Sequence, residues 1–143
     1  MPSIDIGLIL DRLHALGLAT GTRDGELVVD VGELTYWFRV DTPENRVVVT
    51  TAHPRILRGR VETLAGELLA GALNTIPGSG EVSLLPDVGI LAVTFELSAA
   101  APVAAVELDE FILQTLSTGV VIAERISAEI EPLIRRVEGV AGP

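Results

Sequence analysis

The 143-residue chain contains no cysteine, which removes disulfide scaffolds, thiolate metal sites and cysteine nucleophiles in one step. Lysine is absent as well: all ten basic residues are arginine. Schiff-base chemistry, the phosphate-gripping lysine of a P-loop and Ser-Lys dyads are excluded with it. The two histidines, His14 and His53, stand far apart in sequence. Positive charge is scarce against a formal net charge of −10, so the chain is a poor partner for nucleic acid, whose binding depends on neutralising phosphates. The same charge repels anionic membranes.

Long apolar runs are missing too. Mean hydropathy is +0.48, yet the longest uncharged stretches, residues 68–80 and 111–123, fall short of the roughly 20 apolar residues a spanning helix needs. Asp5 and Asp11 near the start, without a basic run, argue against a signal peptide and for a cytoplasmic chain. The apolar content then has two readings: a Val/Leu/Ala-rich core, or apolar surface buried against another chain.

The length fits one domain spanning 1–143 that can bury a core unaided. Apolar residues Ile4, Leu8, Leu10, Leu13 and Leu16 recur at roughly helical spacing behind Ser3, a candidate N-cap, with Gly17 and Gly21 as the stop. Three strands are predicted over 27–31, 34–40 and 46–51, separated by connections so short that they must be antiparallel neighbours. Leu57, Val61, Leu64, Leu68 and Ala72 predict an amphipathic helix opening near Pro54 and ending near Asn74. Gly66 and Ala70 on that helix are small enough to admit another helix. The run 77–80 reads as a loop, then strands over 81–85 and 89–97 about a Pro86-Asp87 turn, and a connector over 99–105. A last helix over 107–137 has Leu108, Ile112, Leu116, Ala123, Ile126, Ile130, Leu133 and Val137 on its core side. Pro132 is expected to kink or split it. Its uncharged part, 116–123, is expected to be buried on more than one side. The order α-β-β-β-α-β-β-α is an α+β plan, an antiparallel sheet packed with helices.

Two features stand out as candidate binding sites. His53, Arg55, Arg58 and Arg60 form a basic cluster at a helix start. It can hold an anion or grip an acidic partner, or it is a solvated face balancing carboxylates such as Glu44. Trp37 lies on the opposite strand face from Tyr36 and Phe38, where it marks an interface or sits beneath a helix. Catalytic signals are weak. Ser79, in Pro77-Gly78-Ser79-Gly80, lacks the glycine spacing of a nucleophile elbow. His14 reads as an ordinary surface or boundary histidine. Asp109/Glu110 and Glu129/Glu131 are too closely spaced to share a helix face and read as solvated carboxylates rather than a metal or acid–base pair. No cofactor and no metal is expected.

Taken with the length and acidity, the element order over 10–17, 27–40, 46–51, 61–74, 81–97 and 108–131, with Ala72-Leu73-Asn74 closing a helix before a strand pair and a long acidic last helix, resembles the type III secretion chaperone-like fold. Within that fold the chain is most similar to the YbjN family of small bacterial proteins. The resemblance implies an acidic homodimer that offers its surface to another polypeptide, the YbjN family being described as proposed sensory-transduction regulators. It also implies a dimer interface on the second helix, at Leu57, Val61, Leu64 and Leu68 with Gly66 and Ala70, although the same stripe from Leu57 to Ala72 is expected first of all to pack on the protein's own sheet. The expectation is a non-enzymatic, protein-binding, chaperone-like or regulatory adaptor acting as a homodimer with a protein or peptide partner. The alternative is a small-molecule or anion sensor using Trp37 or the 53–60 cluster.

Overall fold

The computed structural model describes residues 3–78, 80–99 and 102–141. Ser79 and part of the 99–105 connector lie outside them. The elements are α1 (Ile6–Ala15), β1 (Thr20–Arg23), β2 (Glu26–Val31), β3 (Leu34–Asp41), β4 (Arg46–Ala52), α2 (Gly59–Leu73), β5 (Glu81–Leu85), β6 (Ile90–Ser98) and α3 (Ala105–Ala141). The architecture is α+β with a six-stranded antiparallel sheet in the order β1-β2-β3-β4-β6-β5. One strand, β1, precedes the three expected ahead of α2. The described residues fall into two units, Met1–Thr51 with Thr94–Ser117, and Ala52–Val93 with Thr118–Pro143.

In the first unit Asp5, not Ser3, caps α1: its carboxylate accepts the Leu8 N–H at 2.8 Å. Gly17, at φ +78, ends the helix, and the Leu18 N–H returns to the Leu13 carbonyl at 3.0 Å. Gly21 belongs to β1 instead. Asp24 and Gly25, at φ 52 and 79, form the two-residue turn into β2, with Arg23 paired to Glu26. Successive side chains of β3 alternate between faces, so Leu34, Tyr36 and Phe38 are buried together with Val29, Val47 and Val49. Ile9 and Leu13 of α1 and Leu108, Ile112 and Leu116 of α3 complete this core. Asn45 ties three segments together, accepting the Ile4 N–H at 2.7 Å and donating to the Ala99 carbonyl at 3.0 Å.

In the second unit the segment before α2 is not helical. The N–H groups of His53 and Leu57 bond to the carbonyls of Leu91 and Gly89, at 2.8 and 2.6 Å, so the backbone is held extended until Arg58, the N-cap. Pro54 therefore does not open the helix. The buried face of α2 is Ala65, Gly66, Leu69, Ala70 and Leu73. Asn74 fastens its end to β5 by two bonds of 2.7 Å, to the N–H and the carbonyl of Val82. The second part of α3 presents Ile122, Ile126, Ile130 and Ile134 to the core, with Ala123 and Leu133 only half-buried. α3 continues unbroken past Pro132, whose side chain is exposed. Across 116–123 the helix is not enclosed: Val121 and Ser117 are exposed.

Candidate protein-binding surface

The basic cluster expected over 53–60 is divided by the structure into a held part and a free part. His53 is buried. Its Nδ1 accepts the Arg55 N–H at 3.1 Å, which fixes the remaining ring proton on Nε2, 2.7 Å from Ser127 Oγ. Burial, and then the Arg55 charge, hold the imidazole below its ordinary pKa and keep it neutral. Arg55 is committed to Glu131 at 2.8 Å and Glu62 at 3.3 Å. Glu62 also accepts the Arg58 N–H at 3.0 Å, so one carboxylate caps the helix start and pairs with the preceding arginine. The side chains of Arg58 and Arg60 are exposed and form no hydrogen bond or ion pair among the described residues.

Six residues were expected on a dimer interface; Leu57 precedes α2, and the helix sends the other five in different directions. Gly66 faces inward: a Cβ there would fall 2.5 Å from Leu57 Cδ1 and within 4 Å of Leu84 and Leu91. Leu57, Gly66 and Ala70 are buried within their own unit, and the absence of a side chain at Gly66 lets Leu57 approach the helix. They offer no outer surface. Leu64 and Leu68 point outward, 45% and 51% exposed, and Val61 is half-buried beside them.

This outer face of α2 forms one wall of a groove, and the end of α3 forms the other. Two adjoining concavities share Leu64 and Val137. One of about 730 Å³ is lined by Gly59, Arg60, Val61, Leu64 and Glu67 with Val137. The other, of about 300 Å³, is lined by Leu64, Leu68, Leu133, Arg136, Val137 and Val140. Val140 is 91% exposed. Arg136 and Val140 were not anticipated as surface features. The adjacent Arg135-Arg136 pair near the end of α3 was the available signal.

Trp37, in the first unit, is half-buried on the outer face of the sheet, opposite Val28 and Thr50. That face carries ion pairs: Arg23 with Asp30 at 2.8 Å, and Arg39 with Glu26 at 2.6 Å. A separate concavity of about 400 Å³ lies between α1 and β1–β2, where His14 Nε2 is 3.1 Å from Thr20 Oγ1. The carboxylates of the acidic pairs are largely spoken for. Asp109 takes a two-pronged contact from Arg12 at 2.7 and 2.8 Å, which lowers its pKa. Glu129 pairs with Arg125. Among the described residues no three His, Asp or Glu side chains converge as a metal set, and no helix is long and apolar enough to cross a membrane.

No family model matches the chain, and no curated protein does. Among solved structures it is similar to that of YbjN from E. coli, a candidate transcription regulator, with a TM-score of 0.68 and 15% identity over 90% of this chain and 96% of that one. At that identity the likeness is one of architecture, and the chain has the YbjN fold.

Proposed function

We propose that the chain is a non-enzymatic protein-binding module, a regulatory or chaperone-like adaptor, and that it engages its partner through the groove between α2 and the end of α3. The observation that carries this reading is the placement of Leu64, Leu68 and Val140. Three large apolar side chains are exposed around one concavity while the smaller Ala65, Gly66 and Ala70 are buried behind them. Exposed apolar residues gathered about a groove with a polar rim are the usual chemistry of a docking surface. The description of YbjN as a candidate transcription regulator is compatible with an adaptor role and supports it only at the level of fold.

The 53–60 segment gives less support to an anion sensor, because His53 is kept neutral and Arg55 is neutralised within the chain. The test is a double substitution, Leu64→Asp with Leu68→Asp. Both side chains are exposed, so the variant should keep the wild-type urea midpoint while losing partners captured by the wild-type chain. A variant that folds and captures the same partners with the same yield removes the groove from the account.

A further inference from the structure

We infer that the groove receives an acidic amphipathic segment of the partner, with apolar residues along one side and carboxylates on its flanks; this rests on the reading of the groove as a protein-binding surface. The inference begins with the arginines. Six of the ten, Arg12, Arg23, Arg39, Arg46, Arg55 and Arg125, are in ion pairs with the chain's own carboxylates at 2.6 to 3.5 Å. The other four, Arg58, Arg60, Arg135 and Arg136, are exposed and have no ion pair or side-chain hydrogen bond among the described residues. All four lie on the two stretches that border the groove, at the start of α2 and near the end of α3, and Arg60 and Arg136 line it.

In a chain of net charge −10, with 20 carboxylates to 10 arginines, four guanidinium groups without an ion pair among the described residues stand beside one apolar concavity. Guanidinium groups bind carboxylates through planar, two-pronged hydrogen bonds, and such complementarity selects the partner and speeds its docking. Leu64, Leu68 and Val140 ask for apolar residues between those carboxylates. A second copy docked groove to groove is a poorer fit. It would set Arg60 and Arg136 against their own kind, with Glu67 the one carboxylate in the lining. Nucleic acid is poorer still, since a polyphosphate meets the repulsion of the whole chain and gains nothing from the leucines.

The experiment uses the full chain and a labelled synthetic amphipathic helix, leucines on one face and glutamates on both flanks, read by fluorescence polarisation. A matched helix with lysines for the glutamates is the control. The glutamate helix should bind, weaken as salt is raised, and lose about tenfold or more in affinity to Arg60→Glu with Arg136→Glu, while that variant gains affinity for the lysine helix. Equal binding of both helices, abolished by Leu64→Asp with Leu68→Asp, overturns the acidic partner and leaves the groove as a protein-binding surface. Failure of both helices, with a concentration-dependent dimer that Leu64→Asp disrupts, makes a second copy the occupant and also overturns it. Failure of both helices with a monomer at all concentrations removes the groove reading itself. Arginine-dependent binding of a DNA duplex in place of either helix overturns the proposal as well. Should the charge-reversed variant misfold, the two helices and the salt series on the wild-type chain decide alone.

Discussion

The Tyr36 hydroxyl donates to the Leu116 carbonyl oxygen at 2.7 Å, a hydrogen bond from the middle of β3 to the middle of α3 within one buried core. Burial pushes the phenol up to about 12, because the phenolate would lose its hydration. Tyr36 is the chain's one tyrosine, so the ultraviolet signature of tyrosinate reports it alone. An absorbance titration should show no ionisation around the ordinary value of about 10. Tyr36→Phe keeps the ring packed and removes only the hydroxyl, so urea unfolding should register a loss of about 1 kcal/mol. A midpoint near 10, or a neutral Tyr36→Phe, would show that the hydroxyl is not held in this way.

His53 makes stability depend on pH in a direction that follows from its burial beside Arg55. Its Nδ1 is an acceptor for the Arg55 N–H, and a proton placed there would leave two donors facing each other. Burial, and then the Arg55 charge, set the folded-state pKa below the ordinary 6.5. Between the two values the unfolded chain binds more protons than the folded one, so stability falls as pH falls through 6.5 and levels off once the folded histidine titrates. Urea midpoints measured across that window should show the slope, and His53→Gln should flatten it. A His53 titration observed by NMR with its midpoint above 6.5 would contradict the assignment.

Gly89 and Gly32 separate backbone strain from collision. Both have positive φ, +81 and +60, which costs an alanine about 1 kcal/mol or somewhat more. A Cβ on Gly32 meets nothing within 4 Å, whereas one on Gly89 falls 2.5 Å from the Leu57 carbonyl oxygen, a backbone atom that cannot swing aside. That collision also displaces the Leu57 N–H from the Gly89 carbonyl. Gly32→Ala should cost about 1 kcal/mol and Gly89→Ala about 3 kcal/mol by chemical denaturation. Equal costs would mean that the approach of Leu57 is not structural.

The sequence carried most of the element order, and its omissions have physical causes. β1 escaped notice because Thr20, Gly21, Thr22 and Arg23 contain no large apolar residue to alternate. The readable signal was Asp24-Gly25, the dipeptide that favours a two-residue hairpin turn. The start of α2 was placed too early because Pro54 and Leu57 suit a first helical turn, yet the N–H groups of His53 and Leu57 find partners at Leu91 and Gly89 instead. At the candidate site, Arg58 and Arg60 were visible as cations, but only tertiary structure separates them from Arg55, whose partner Glu131 is 76 residues away. Arg136 joins the groove through the same kind of long-range placement.

α2 offers the sharpest test, because two sets of residues at helical spacing compete for its inner face. Val61, Leu64, Leu68 and Ala72 form one apolar stripe and Ala65, Leu69 and Leu73 form another, so hydropathy alone does not choose between them. The structure buries Ala65, Leu69 and Leu73 with Gly66 and Ala70, since the closely approaching Leu57 leaves space for small side chains and not for two more leucines. Leu69→Ala and Leu73→Ala should each cost about 2 to 5 kcal/mol, the range for an emptied core position. Leu64→Ala and Leu68→Ala should stay within about 0.5 kcal/mol, as exposed substitutions do. Urea unfolding of the four variants measures the contrast directly. Comparable losses at Leu64 and Leu69 would mean that the helix is rotated, and the apolar wall of the groove would disappear with it. The predicted contrast would establish that Leu64 and Leu68 face outward without contributing to the fold, leaving them available to a partner.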